Sequence, residues 1–178
     1  MTTFGSMNYF EGLMMKKLNF GSGTDIIEGW DNADLDNHNG ANICFDFNKF
    51  PYPIKSNTYD YILANHVMEH LEKPEEAIYE LARSCKDNGV IEINVPHMNC
   101  EGAFALGHIN YWTTWSFKLL ANPVGWEKKR DIRLELISLK EVPSRFGKWI
   151  YPRWLRRKLS LLVRGIQEEI HVILKVIK

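Results

Sequence analysis

The chain has 178 residues, of which 45% are apolar and 25% charged, with 22 basic and 22 acidic side chains. Its length suits a single domain with a sizeable core, and its composition is that of a globular protein rather than a disordered or membrane-spanning one. Zero formal net charge leaves no overall nucleic-acid footprint, and three scattered cysteines, Cys44, Cys85 and Cys100, read as reduced thiols of a cytoplasmic protein.

The apolar runs fall short of the ~20 residues that a spanning helix needs, and the start shows no signal-peptide pattern. Residues 1–15 form an N-terminal extension in which Tyr9, Phe10, Leu13 and Met14 fall at helical spacing. Leu18 and Phe20 then lead into Gly21, Ser22 and Gly23, a small-residue loop whose backbone can approach a ligand closely. "GWDNADLD" and "NICFDFN" are two short apolar runs that end in acids, Asp34 and Asp36 after the first and Asp46 after the second. "YDYILANHV" is nearly continuous in apolar residues, which predicts a strand buried on both faces of a parallel sheet.

Pro74, Glu75 and Glu76 open a helix with an apolar stripe of Ala77, Ile78, Leu81, Ala82 and Cys85; Gly89 is the candidate left-handed stop. Val90 to Pro96 is a further strand, and Thr113 or Thr114 caps a helix running through Ser116, Leu119 and Leu120. "DIRLELISLKEV" and "EIHVILKVIK" complete the strands, with Ile170, Val172, Leu174 and Val176 on one face of the last. This order implies an α/β fold, mostly parallel, whose final pair of strands lies antiparallel at the edge.

His66, Glu69 and His70 match H-x-x-E-H, a zinc-peptidase signature. That site needs both histidines one helical turn apart on one face, and a third protein ligand. His66 ends a strand-like run and Pro74 starts another helix, so no metal is expected; Glu69 and His70 are read as a polar elbow.

In a doubly wound sheet, ligands bind at the carboxyl ends of the strands. Gly21 to Gly23, Asp34, Asp46 and Asn65 all fall at such ends. A carboxylate there can accept from two vicinal ribose hydroxyls, and another from an exocyclic amine, which points to a nucleoside ligand. The dinucleotide fingerprint G-x-G-x-x-G is missing its third glycine, which argues against nicotinamide and flavin dinucleotides.

The same residues carry a resemblance. The G-[CS]-G loop, the G-[WF]-x-N-x-D segment, F-P-[FY], [FY]-D, V-[LM]-E-H-L and V-P-H occur here in order over about residues 16–120. Together they resemble class I S-adenosylmethionine-dependent methyltransferases, above all a short subgroup found among glycan-biosynthesis enzymes. The resemblance implies an abbreviated Rossmann-like methyltransferase fold, one domain over 1–178, and S-adenosylmethionine as cofactor with S-adenosylhomocysteine as product. It places Phe20, Gly21, Ser22 and Gly23 at the methionine part, Asp34 at the ribose, Asp46 and Phe47 at the adenine, and Asn65 beside the sulfonium. In the larger family a helix joins the first two strands; here only "GTDIIEGW" does.

An oxygen or nitrogen acceptor can call for a general base, and histidine titrates in the right range. His108, in a "GHINYWT" loop resembling the subgroup's H-x-R-x-[FW]-T, and His66 are the catalytic candidates. His97, Tyr111 and Trp112 are substrate candidates, the aromatics as a platform for a sugar ring. Residues 143–167 form a basic amphipathic insertion with Tyr151, Trp154, Leu155, Leu159, Leu162 and Ile166 at helical spacing. It reads as a lid on the sheet or, over 145–164, as a peripheral membrane contact suited to a lipid-linked glycan. Methyl transfer to a small-molecule or glycan acceptor is the expected function. The alternative is a non-catalytic nucleoside-binding protein acting with a partner.

Overall fold

The computed structural model describes residues 15–122 and 130–178, so the N-terminal extension, Met15 apart, lies outside the described residues. Seven strands form one sheet: β1 (Lys17–Phe20), β2 (Asp31–Asp34), β3 (Ile43–Cys44), β4 (Tyr59–Asn65), β5 (Cys85–Pro96), β6 (Arg133–Pro143) and β7 (Gln167–Ile177). Their spatial order is β3-β2-β1-β4-β5-β7-β6. The first five pair in parallel, while β7 runs antiparallel to β5 and β6. The C-terminal strand is therefore the antiparallel one, as expected, and β6 lies outside it. The helices are α1 (Pro74–Ser84), α2 (Thr114–Ala121) and α3 (Arg153–Leu159).

One sheet face is buried over the central strands. Leu18, Phe20, Ile62, Ala64, Ile91, Ile93, Val172 and Leu174 are all inaccessible, and they share a core with Ala77, Ile78 and Leu81 of α1 and Phe117 of α2. Burying the Leu, Ile, Val and Phe side chains among them is worth roughly 1.5–3 kcal/mol each. The expectation that β4 is buried on both faces is corrected. Tyr61 and Leu63 are half-buried and Asn65 is exposed, while Trp30 packs edge-on against Tyr61 and Lys17 lies over Trp30. Continuous apolarity overstated the burial because an aromatic with a polar tip can serve a half-wet face.

The Gly89 expectation is also corrected. The left-handed residue after α1 is Asn88, at φ 61°. Gly89 is needed for space, since a Cβ there would lie 2.5 Å from Cys85 Sγ.

No helix joins β1 to β2. Two buried asparagines hold that connection instead. Asn32 accepts from Ile27 N (2.9 Å) and donates to Ile27 O (3.0 Å) and Trp30 O (3.1 Å); Asn19, its register partner, donates to Asp25 O (2.8 Å). Side-chain amides thus satisfy backbone groups that a helix would have paired internally. The long β3–β4 connection is held similarly from α1. Arg83 donates to Ile54 O (2.8 Å) and Tyr52 O (3.0 Å), and Glu80 accepts from Tyr52 N (2.8 Å).

Candidate active site

At the carboxyl ends of β1, β2 and β4 the predicted loop, acid and asparagine come together. Gly21 has φ 73°, and a Cβ there would lie 2.2 Å from Val67 Cγ2, so only glycine lets the loop turn this close to β4. Gly23 N donates to Asp34 Oδ2 (2.6 Å), which ties the loop to the end of β2. Gly21, Ser22, Leu63 and Asn65 line a cavity of about 220 Å³. Ser22 is buried there, and its Oγ has no protein partner. A buried hydroxyl left unpaired is costly unless a ligand completes it.

Asp46 follows close by, since Phe45 N donates to Asp34 O (3.1 Å). Its carboxylate accepts from Asn48 N (3.0 Å), and that bond, assisted by Lys49, holds its pKa below the usual value. Phe47 stacks on Phe20 with ring centroids 4.0 Å apart. The Phe20 side chain is wholly buried, so it supports the site from the core and cannot line it.

His66 is the residue after Asn65 and opens onto a second cavity. It adopts φ 54°, a left-handed conformation that turns the chain sharply at the end of β4. His66, Cys100, Glu101, His108, Arg164 and Glu169 are among the residues around a space of about 770 Å³. His66 Nδ1 faces Glu69 (3.3 Å) and Nε2 faces Glu169 (3.4 Å). The Glu69 contact, against the effect of burial, raises the imidazole's pKa. The two catalytic candidates, His66 and His108, therefore share one cavity.

The substrate candidates separate. His97 is buried and lines a different space of about 730 Å³ with Trp154 and Leu161. Its Nδ1 accepts from Asn99 N (3.0 Å), and burial lowers its pKa. Tyr111 is exposed beside Phe104, with centroids 5.0 Å apart. Trp112 is buried and stacked on Phe117, so its assignment as a sugar platform is corrected: its ring belongs to the core.

The H-x-x-E-H helix does not form. Only Met68–His70 is helical, as a single 3-10 turn, and His66 lies outside it. The turn instead receives the 107–110 loop. Glu69 O accepts from Ile109 N (2.9 Å) and Asn110 N (3.1 Å), and Asn110 Nδ2 donates to Leu71 O (2.6 Å).

Sequence reasoning missed Glu169, Arg164, Asn99 and Asn110. Glu169 looked like one member of an alternating strand, and Arg164 was one charge among many. Asn99 anchors the insertion: it donates to Ser160 O and Val163 O (both 2.8 Å) and accepts from Ile166 N (2.9 Å) and Gln167 N (3.1 Å). An asparagine just past a predicted strand was the available signal. Among the described residues, no helix is long and apolar enough to cross a membrane.

A sequence-family profile described as a methyltransferase domain matches residues 14–153. A search of curated proteins found no significant match. Among solved structures, the fold is similar to an S-adenosylmethionine-dependent methyltransferase from Archaeoglobus fulgidus, with TM-score 0.57 and 17% identity over 90% of this chain and 86% of that one. A Mesorhizobium loti S-adenosylmethionine-dependent methyltransferase gives TM-score 0.59 and 10% identity over 90% of each chain. Haemonchus contortus phosphoethanolamine N-methyltransferase 2, solved with S-adenosylmethionine, gives 0.60 and 12%, over 92% of this chain and 49% of that one.

Proposed function

The chain belongs to the methyltransferase-domain family, and we propose that it methylates a hydroxyl of a sugar-like or glycan acceptor. S-adenosylmethionine is its cofactor, and when bound it supplies an electrophilic methyl group on a sulfonium. The residues present fit that group. Ser22 offers an unpaired buried hydroxyl, Gly21 admits close backbone approach, and Asp34 presents a carboxylate beside the loop. Asp34 would take the ribose hydroxyls, Asp46 and Phe47 the adenine edge, and Asn65 the methionine end.

The observation that carries the reading is the adjacency of two cavities at Asn65 and His66. One residue lines the narrow space by the glycine loop, and the next lines the wider polar one. Such an arrangement holds an acceptor beside a donor, and positioning alone can supply much of the rate of an in-line transfer. Glu101, Glu168, Glu169 and Arg164 around the wider space suit a ligand with several hydroxyls, because carboxylates accept from them and guanidinium donates to them. In this reading His66 and His108, which line the wider space, would take the acceptor proton.

The lipid-linked form of such an acceptor is supported by the insertion. Residues 144–165 contain no acid, and they expose Trp149, Tyr151, Trp154, Leu161 and Leu162 among several arginines. We propose that this surface rests on an anionic bilayer and brings the cavity to its acceptor.

The test is calorimetric titration with S-adenosylhomocysteine, followed by turnover assays on water-soluble and lipid-linked glycans. Binding followed by acceptor-dependent product release is expected. Failure to bind S-adenosylhomocysteine overturns the assignment, and binding without turnover on any hydroxylated acceptor removes the acceptor class.

A further inference from the structure

The turn after β4 and the loop that docks on it bring three metal-ligating side chains together. A carboxylate oxygen of Glu69, a ring nitrogen of His70 and a ring nitrogen of His108 all lie within 4.8 Å of one another. We propose that these three residues bind a divalent first-row transition-metal ion beside the acceptor cavity that His108 lines.

The Glu69 side chain is 1% exposed, and its Oε2 has no protein partner; its other oxygen has only the 3.3 Å contact to His66. His108 Nδ1 is likewise buried and unpartnered. A buried carboxylate oxygen and a buried ring nitrogen with nothing to bond are expensive, and an ion that takes both as ligands removes both costs at once. The three groups converge without a hydrogen bond between any two of them. With metal–ligand bonds of about 2.1 Å, ligand atoms stand roughly 3–4 Å apart, so small side-chain rotations close the set around an ion.

His70 Nδ1 lies 3.1 Å from Gly107 O, and a carbonyl only accepts, so Nδ1 carries the proton and Nε2 keeps its lone pair. A ligating histidine is ordinarily fixed by such an outer bond. The His70 and His108 rings meet edge to face with centroids 4.6 Å apart. The loop carrying His108 is clamped to the turn carrying Glu69 and His70 through backbone bonds that none of the three side chains supplies. The donors are thus held in place by the main chain.

Two imidazoles and one carboxylate select a transition metal such as zinc or manganese over magnesium, which prefers oxygen. Three protein ligands leave coordination positions open, as in catalytic rather than structural sites. This deepens the role proposed for the acceptor cavity and rests on that reading only for what the ion does. An acceptor hydroxyl on the ion is more acidic. As its oxygen–methyl bond forms, the sulfur–methyl bond breaks, its electron pair returns to sulfur, and the hydroxyl proton leaves to water. His108 is then a ligand, and the task of a base falls away from it.

The test uses the full chain, stripped with chelator and titrated with Co²⁺ followed by visible absorption, then with Zn²⁺ in competition. About one equivalent should bind to the wild type. His70→Ala, at an exposed position, and His108→Ala should each weaken binding by at least about tenfold, the lower end of what altering a metal ligand's surroundings costs. S-adenosylhomocysteine affinity should stay unchanged in both. A wild-type chain that binds neither ion, or variants that bind like wild type, overturns the site. Metal binding is read without cofactor, so failure to bind S-adenosylhomocysteine would count against the methyltransferase reading alone. Turnover that survives chelation of a metal-binding wild type would overturn the catalytic role.

Discussion

Gly21 is where the loop packs against Val67, and its substitution tests the proposed cofactor side. A Cβ would collide with Val67 and would sit at a positive φ. Gly21→Ala should destabilise the fold by about 1–3 kcal/mol and weaken S-adenosylhomocysteine binding by at least about tenfold, read by urea unfolding and calorimetry. His97 makes a pH prediction. Burial lowers its pKa, so between that lowered value and the ordinary ~6.5 the unfolded chain binds more protons than the folded one, and stability from this group falls as pH falls. The stability advantage of wild type over His97→Gln should shrink from pH 7.5 to pH 5.5 in urea melts; an advantage that grows as pH falls would contradict it. At this scale the strand-end positions of Gly21, Asp34 and Asn65 were legible, because an apolar run that breaks into glycine or a polar residue marks where a strand stops. Trp112 and Tyr111 were not, since a loop has no period to say which of two neighbours turns inward.

Asn99 makes four hydrogen bonds to the 160–167 backbone. Asn99→Ala should cost about 2–4 kcal/mol, because buried partners are left unpaired, and limited proteolysis should then cut within 145–164 before the sheet. Resistance equal to wild type would mean that the insertion is held elsewhere. Strands and helices α1 and α2 were readable from periodicity, with Thr113 capping α2 as expected: its N donates to Ser116 Oγ (3.3 Å). The helix-free β1–β2 connection was visible as a short span, but not that Asn19 and Asn32 replace the helix. Those bonds join residues whose partners depend on register.

For the whole molecule, the buried face and the exposed insertion point in different directions energetically. Ile62→Ala, in the inaccessible core, should cost about 2–5 kcal/mol with m-value unchanged. Helix α3 should contribute little to stability, since it has no buried residue, yet the insertion that carries it should govern membrane association. The protein should co-sediment with anionic vesicles at low salt and lose that with Trp149→Ala and Leu162→Ala together. Equal sedimentation by that double variant would assign the contact to another surface.

By itself, the sequence determined the strand and helix order, the glycine loop with its acids and Asn65, and through their joint spacing the resemblance to methyltransferases. These are local or ordered along the chain, so periodicity and turn chemistry report them. Only the tertiary structure decided that one sheet face stays half-wet, that Trp112 is core, and that His108 docks beside Glu69 and His70. The H-x-x-E-H spelling would pair His66 with His70 as ligands, a reading that the strand end at His66 and the helix start at Pro74 already argued against. The left-handed turn at His66 separates them, and backbone bonds from residues some forty positions later bring in the other histidine.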